Sequence, residues 1–189
     1  MKIDTTTGLL AEADYIPSPN TDERSGQQPT DLIVIHNISL PPGQFSGDWV
    51  QALFTNTLPA DADPYFAEIC ELKVSSHLYI RRDGQIIQFV PFHQRAWHAG
   101  VSCYQDKTAC NDFSIGIELE GTDELPYKDI QYQQLASVLK ALTSSYEDLQ
   151  LQRITGHSDI APERKTDPGP AFDWQKLQQL LAVDTFESA

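Results

Sequence analysis

Residues 31–36, Asp-Leu-Ile-Val-Ile-His, form an unbroken apolar run that ends in a histidine. A run this short and this rich in β-branched residues reads as a strand, and one without polar alternation reads as a strand covered on both faces. That is a strong demand, because it requires packed layers on either side of the sheet. A histidine at the C-terminal end of such a strand stands where open α/β sheets place their ligands. Taken alone, His36 is better read as a hydrogen-bonded histidine at a strand end.

The remaining elements fit around this strand. The segment 129–149 places Leu135, Val138, Leu139, Leu142, Tyr146 and Leu149 at helical spacing, as expected for a long helix covering the sheet. Near the end, Asp173 is a good N-cap for a closing helix, with Phe172 and Leu177 at the positions of a hydrophobic staple. Trp49, Ala52 and Leu53 predict a short helix within residues 46–54, with Ser46 as its cap. Residues 77–90 read as a hairpin turning at Asp83-Gly84, with His77 opening its first strand. Residues 55–71 are Pro- and Asp-rich and read as a long surface loop, of a kind that is often functional. Residues 1–30 are polar, broken by Pro17, Pro19, Gly26 and Pro29, and read as an extended arm with one short strand. A chain of 189 residues suits a single domain, residues 1–189, with 1–14 and 184–189 as poorly ordered ends.

A formal net charge of −14 argues against nucleic acid and anionic membrane surfaces as partners, since phosphates are repelled. The N-terminus lacks the apolar stretch of about 7–15 residues that a secretory signal requires. No apolar run approaches the roughly 20 residues needed to span a bilayer. Cys70, Cys103 and Cys110 are odd in number and read as free thiols of a reducing cytoplasm. Pairing of Cys103 with Cys110 after export, or metal binding by them, are the alternatives.

The residues that carry chemistry concentrate in Gly-His-Ser-Asp-Ile-Ala-Pro-Glu-Arg-Lys-Thr-Asp-Pro-Gly-Pro, positions 156–170. Three prolines stiffen this loop around His157, Lys165 and Asp167. Imidazole and carboxylate are good zinc ligands, and a catalytic zinc takes three protein ligands while keeping one position open. His157 and Asp167 supply two, and His36 is the best-placed third. The bland reading is a capping and hydrogen-bonding pair. In Ser-Ile-Gly-Ile-Glu-Leu-Glu, residues 114–120, strict alternation puts Ile115, Ile117 and Leu119 on one side and Gly116, Glu118 and Glu120 on the other. The glycine leaves room for something to approach the sheet closely. The two glutamates, roughly 7 Å apart at about 3.3 Å per residue, offer a catalytic carboxylate or else are solvated surface groups. Trp97 and His98 stand beside glycine as either a wall for a sugar or peptide, or a core Trp next to a surface His.

Taken together, the segments LIVIHNISLPPG, ALFTNT, PYFAEI, VSSHLYIRRDGQIIQFVPF, RAWHAGVS, NDFSIGIELEGTD and GHSDIAPERKTDPGPAFDW resemble the zinc-dependent N-acetylmuramoyl-L-alanine amidases. Within that family they resemble the cytoplasmic AmpD-type subgroup. They run in family order from about Tyr15 to Trp174. The resemblance implies an α/β fold, a mixed central β-sheet flanked by α-helices, shared with phage amidases and peptidoglycan-recognition domains. It implies Zn2+ held by His36, His157 and Asp167, with Glu118 as the base that takes a proton from the attacking water. Lys165 would stabilise the developing oxyanion. Asn37, Trp97 and His98 are expected to contact the substrate, a muropeptide cut between the lactyl group of 1,6-anhydro-N-acetylmuramic acid and L-alanine. The expected protein is a cytoplasmic monomer of cell-wall recycling. A non-catalytic peptidoglycan-binding module on the same fold, or a glycosidase using Glu118 and Glu120, are the rival readings.

Overall fold

In a computed structural model describing residues 1–26 and 28–182, the Leu32–Ile38 strand lies inside a six-stranded sheet. The order across the sheet is Ile154–Gly156, Leu32–Ile38, Ser114–Glu120, Leu78–Ile80, Ile86–Gln88 and Asp14–Tyr15. The first four strands are mutually parallel. Ile86–Gln88 returns antiparallel to Leu78–Ile80, and Asp14–Tyr15 runs parallel to Ile86–Gln88. The sheet is therefore mixed, with helices on its faces, as the resemblance implied.

Both faces of the Leu32–Ile38 strand are covered. Leu32, Ile33, Val34 and Ile35 are wholly buried. On one side Ile33, Ile35, Ile115, Ile117 and Leu119 pack under Leu135, Val138, Leu139 and Leu142 of the Asp129–Ser145 helix. Leu177 of the Trp174–Ala182 helix joins them. Each such side chain contributes roughly 1.5–3 kcal/mol when fully buried. On the other side Leu32 and Val34 meet Ala99, Phe113 and Ile160, while Tyr79 and Ile87 meet Phe54, Phe66 and Phe89. Alternation along each strand divides the two cores, so one sheet organises the whole interior.

Several local expectations are met with changes. The amide of Lys176 donates to Asp173 Oδ1 at 2.9 Å, so Asp173 caps the last helix, and Phe172 and Leu177 are both buried beside it. The hairpin forms, but its turn spans Arg82-Asp83-Gly84 rather than two residues. The amide of Arg81 pairs with the carbonyl of Gln85, and Gly84 takes φ +91°, a left-handed conformation that glycine adopts without strain. The short helix runs Trp49–Phe54 with Asp48 at its N-cap, and Ser46 lies outside it. Residues 55–71 are not all loop: Phe66–Ile69 make a helical turn, anchored by the buried Phe66.

The N-terminal segment departs furthest from expectation. Residues 1–14, read from sequence as a poorly ordered end, form an Ile3–Asp4/Leu9–Leu10 antiparallel pair whose Ile3 and Leu10 enter the core. Gln88, fully buried, fixes it. Its Oε1 accepts from the Leu10 amide at 2.8 Å and its Nε2 donates to the Gly8 carbonyl at 2.9 Å. Thr21–Glu23 then pairs with Gln94–Ala96. Residues 184–189 lie outside the described residues.

Candidate metal centre

The C-terminal ends of the parallel strands meet at one place. His36 and Glu118 are register partners on adjacent strands, so their side chains leave the same face of the sheet. His157 follows Gly156, the partner of Ile35, and so emerges beside His36. Its position depends on a local device. The Asp159 carboxylate accepts from the Gly156 amide at 2.9 Å and the Thr155 hydroxyl at 2.8 Å, fixing the turn from strand into the His157–Ile160 helix. The loop then returns Asp167 to the centre. Its carbonyl accepts from the Ser158 amide at 2.9 Å, and Tyr127 Oη donates to the Pro168 carbonyl at 2.8 Å.

The result is a triangle of donor atoms. His36 Nδ1 lies 2.9 Å from His157 Nδ1, and each lies 3.0 Å from Asp167 Oδ2. His36 and His157 are almost fully buried, at 1% and 3% exposure. Burial pushes the His36 imidazole down to about 4, against the opposing pull of Asp167. Burial also opposes ionisation of Asp167, but the two imidazoles outweigh it and hold the carboxyl below its ordinary range. His157 Nε2 faces the Ala99 carbonyl at 3.1 Å, which can only accept. A neutral His157 donating there carries its lone pair on Nδ1. With lone pairs on both Nδ1 atoms, two imidazoles and a carboxylate converge at about 3 Å on one point, an arrangement that a cation between them stabilises. Two imidazoles, one carboxylate and an approach from solvent fit a zinc ion.

Glu118 stands at the wall of the same cavity, which is about 660 Å³ and also lined by Asn37, Trp97, His98, Asp123, Arg164 and Lys165. Burial, then the charge of Asp167, raises the Glu118 carboxyl well above its ordinary value, against the pull of Lys165. Its Oε2 is buried with no hydrogen-bond partner among the described residues. A raised, unsatisfied carboxylate in a cleft is the form a general base takes. Glu120 differs despite sharing the face. It is buried at 5% exposure, accepts from the Arg82 amide at 2.8 Å, and does not line the cavity. The two glutamates are neither surface groups nor a catalytic pair, which removes the glycosidase reading.

The three expected substrate contacts separate in the structure. Asn37 and Trp97 line the cavity, and Asn37 Nδ2 donates to Asp123 Oδ1 at 2.8 Å. His98 also lines it, but both ring nitrogens are engaged by protein, at 2.9 Å from His36 Nε2 and 3.1 Å from Ser114 Oγ. His77, fully buried, accepts from the Gly116 amide at Nδ1 and donates from Nε2 to the Gln94 carbonyl, so its role is structural. No local pattern marks Asp123 as part of the wall, whereas Arg164 stands beside Lys165 in the loop that carries the site. Arg164 Nη2 closes over the rim by donating to the Ala99 and Val101 carbonyls at 2.6 and 2.8 Å.

Comparison with known proteins identifies the family and the fold. Residues 26–170 match the N-acetylmuramoyl-L-alanine amidase family. The chain is 58% identical over 178 residues to 1,6-anhydro-N-acetylmuramyl-L-alanine amidase AmpD of Escherichia coli K12, covering 94% of this chain and 97% of that one. A crystal structure of a Se-Met AmpD derivative superposes with TM-score 0.92 at 58% identity, over 96% of this chain and 99% of that chain. A complex of the E. coli amidase AmiD with the substrate anhydro-N-acetylmuramic acid-L-Ala-D-γ-Glu-L-Lys matches at TM-score 0.60 and 31% identity. It covers 84% of this chain and 60% of that one.

Proposed function

Since the chain belongs to the N-acetylmuramoyl-L-alanine amidase family, we propose that it hydrolyses the amide between the lactyl group of 1,6-anhydro-N-acetylmuramic acid and L-alanine. The substrate class is the soluble muropeptide of cell-wall recycling, the site of action is the cytoplasm, and the working form is a monomer. The observation that carries this reading is the convergence of His36 Nδ1, His157 Nδ1 and Asp167 Oδ2 in the cavity that Glu118 shares. Among the described residues no helix is long and apolar enough to cross a membrane.

An amide resists hydrolysis because water is a poor nucleophile and an amine a poor leaving group. A zinc ion held by His36, His157 and Asp167 would supply Lewis acidity toward the carbonyl and a lowered pKa for water. The protein's own residues do the rest. Glu118 takes the proton from the attacking water and delivers it to the departing L-alanine nitrogen. Its raised pKa suits both halves of that task, since it must first accept and then release. Lys165 lies on the cavity wall and its charge is felt at both Glu118 and His36. It opposes negative charge as the carbonyl oxygen becomes an oxyanion, a contribution of about 3–4 kcal/mol for a well-placed donor. Asn37 and Trp97, lining the same cavity, orient the muramoyl end of the substrate.

The test is mass-spectrometric product analysis after incubation with anhydro-muropeptides, with and without chelator. The expected products are a peptide beginning at L-alanine and a peptide-free anhydro-muramoyl sugar, and chelation should abolish both. Disaccharide released with its peptide still attached would overturn the reading.

A further inference from the structure

The glycine at position 116 has a specific tenant. A Cβ built there would collide with the His98 ring, meeting its Cγ and coming within 2.6 Å of its Nδ1. Ser114, Gly116 and Glu118 share one face of their strand. The missing side chain at 116 is what lets the His98 ring come close to the strand, between Ser114 on one side and His36 on the other.

The hydrogen bonds along this line have one self-consistent direction. Ser114 Oγ lies 2.5 Å from the Cys110 carbonyl oxygen, which can only accept, so the single hydroxyl proton points there. His98 Nε2 therefore donates to Ser114 Oγ, across 3.1 Å. A neutral His98 that donates from Nε2 accepts at Nδ1, and the group 2.9 Å away is His36 Nε2. His36 then carries its proton on Nε2 and its lone pair on Nδ1, which faces His157 and Asp167. The neighbouring residue faces the second imidazole in the same way: the Ala99 carbonyl lies 3.1 Å from His157 Nε2, with the Arg164 guanidinium at 3.4 Å from the same nitrogen. The amides of His98 and Ala99 both donate to Asn111 Oδ1, at 3.1 and 2.8 Å. One side chain thus pins the dipeptide that faces the backs of both ring ligands.

We propose that His98 is a positioning residue for the metal centre rather than a substrate contact: with Ser114 it locks His36 in the tautomer whose Nδ1 points at the metal position. The inference rests on the metal reading of His36, His157 and Asp167. Outer partners of this kind fix tautomer and ring orientation, and their loss weakens metal affinity by roughly 10–100-fold.

The test uses His98→Phe, which keeps a flat ring but has no nitrogen, and His98→Gln, whose amide oxygen and nitrogen can accept and donate at similar spacing. Zinc affinity is measured by competition with a chelator, and the His36 tautomer by nitrogen-15 NMR of the metal-free protein. His98→Phe should bind zinc about 10–100-fold more weakly and lose the pure Nε2–H form of His36, and His98→Gln should recover most of both. Native zinc affinity and an unchanged His36 tautomer in His98→Phe would overturn the proposal. Weakened zinc with an unchanged tautomer would also overturn it, reducing His98 to a packing residue. If His98→Phe does not fold, Ser114→Ala tests the same line by freeing His98 Nε2, and a native tautomer and affinity there overturn it too. Because the tautomer is read without metal, failure of the zinc reading and failure of this relay are distinguishable.

Discussion

His36 and Glu118 are opposite one another in the ladder of two adjacent parallel strands. The first ligand of the candidate metal centre and the candidate base are thereby set by backbone hydrogen bonds in the middle of the sheet. Positions on such a frame hold catalytic geometry more tightly than positions on loops. Only His157, Lys165 and Asp167 come from the following turn and loop, and that loop is tied back by Asp159 and Tyr127.

Asp167→Ala should abolish tight zinc binding while the fold survives. The carboxylate is one of three converging donors, and the hydrophobic cores lie elsewhere. The loss of affinity should exceed the ~10–100-fold that an outer partner is worth. Metal analysis of the purified variant, alongside its thermal unfolding, checks this, and a full complement of zinc would refute the ligand assignment.

Gly116→Ala should be destabilising out of proportion to one methyl group. Its Cβ meets the His98 ring, and overpacking of this kind costs about 1–3 kcal/mol. Denaturant unfolding measures the cost. Zinc affinity should fall as well, since the ring that moves is the one behind His36. An unperturbed variant on both counts would mean that the close approach is not structurally important.

Much of this was legible in the sequence. The unbroken apolar run at 32–35 announced a doubly covered strand, the Asp173 cap placed the last helix, and Gly116 signalled a close approach to the sheet. His36, His157 and Asp167 could be named as candidates from a strand-end histidine and a proline-stiffened loop, and the family resemblance singled them out among the chain's many carboxylates. The rest depended on tertiary partners. Ile3 and Leu10 find a surface only once the Asp129–Ser145 helix is in place, so residues 1–14 looked like a frayed end. Alternation showed that Glu118 and Glu120 share a face, but not that one opens into a cavity while the other meets the Arg82 amide. What approaches Gly116, and which nitrogen of His98 faces His36, are questions of three-dimensional contact that no local pattern encodes.

The raised Glu118 carboxyl predicts a pH-dependent stability difference in metal-free protein. Burial favours the protonated form, so well below the ordinary value of 4.5 the group is neutral in both states and does not penalise the fold, and the penalty begins once the unfolded chain ionises around that value. As pH rises through the raised folded value, the unfolded chain ionises more readily and the fold loses stability. Glu118→Gln removes that loss. Its advantage over the native chain should be absent at low pH, grow as pH rises, and level off once the native carboxyl is fully ionised. Unfolding free energies across pH, with chelator present, measure it, and a pH-independent difference would contradict the assigned shift.

The comparison of Glu118 with Glu120 tests the proposed chemistry most directly. Glu118→Gln keeps size and most hydrogen bonding but cannot take a proton. It should retain zinc and bind substrate, yet lose roughly 10²–10⁴-fold in kcat, the usual worth of general acid–base catalysis. Glu120→Gln should remain far more active, because its carboxylate is spent on the Arg82 amide outside the cavity and an amide oxygen can still accept that bond. Lys165→Met should resemble Glu118→Gln in kind: zinc kept, kcat reduced and KM little changed, since its charge matters chiefly as the oxyanion forms. All three variants are to be compared for zinc content and kcat on one anhydro-muropeptide. A dead Glu120→Gln beside a near-normal Glu118→Gln would reverse the assignment of the base, and with it the claim that access to the cavity, rather than position along the strand, decides which carboxylate works.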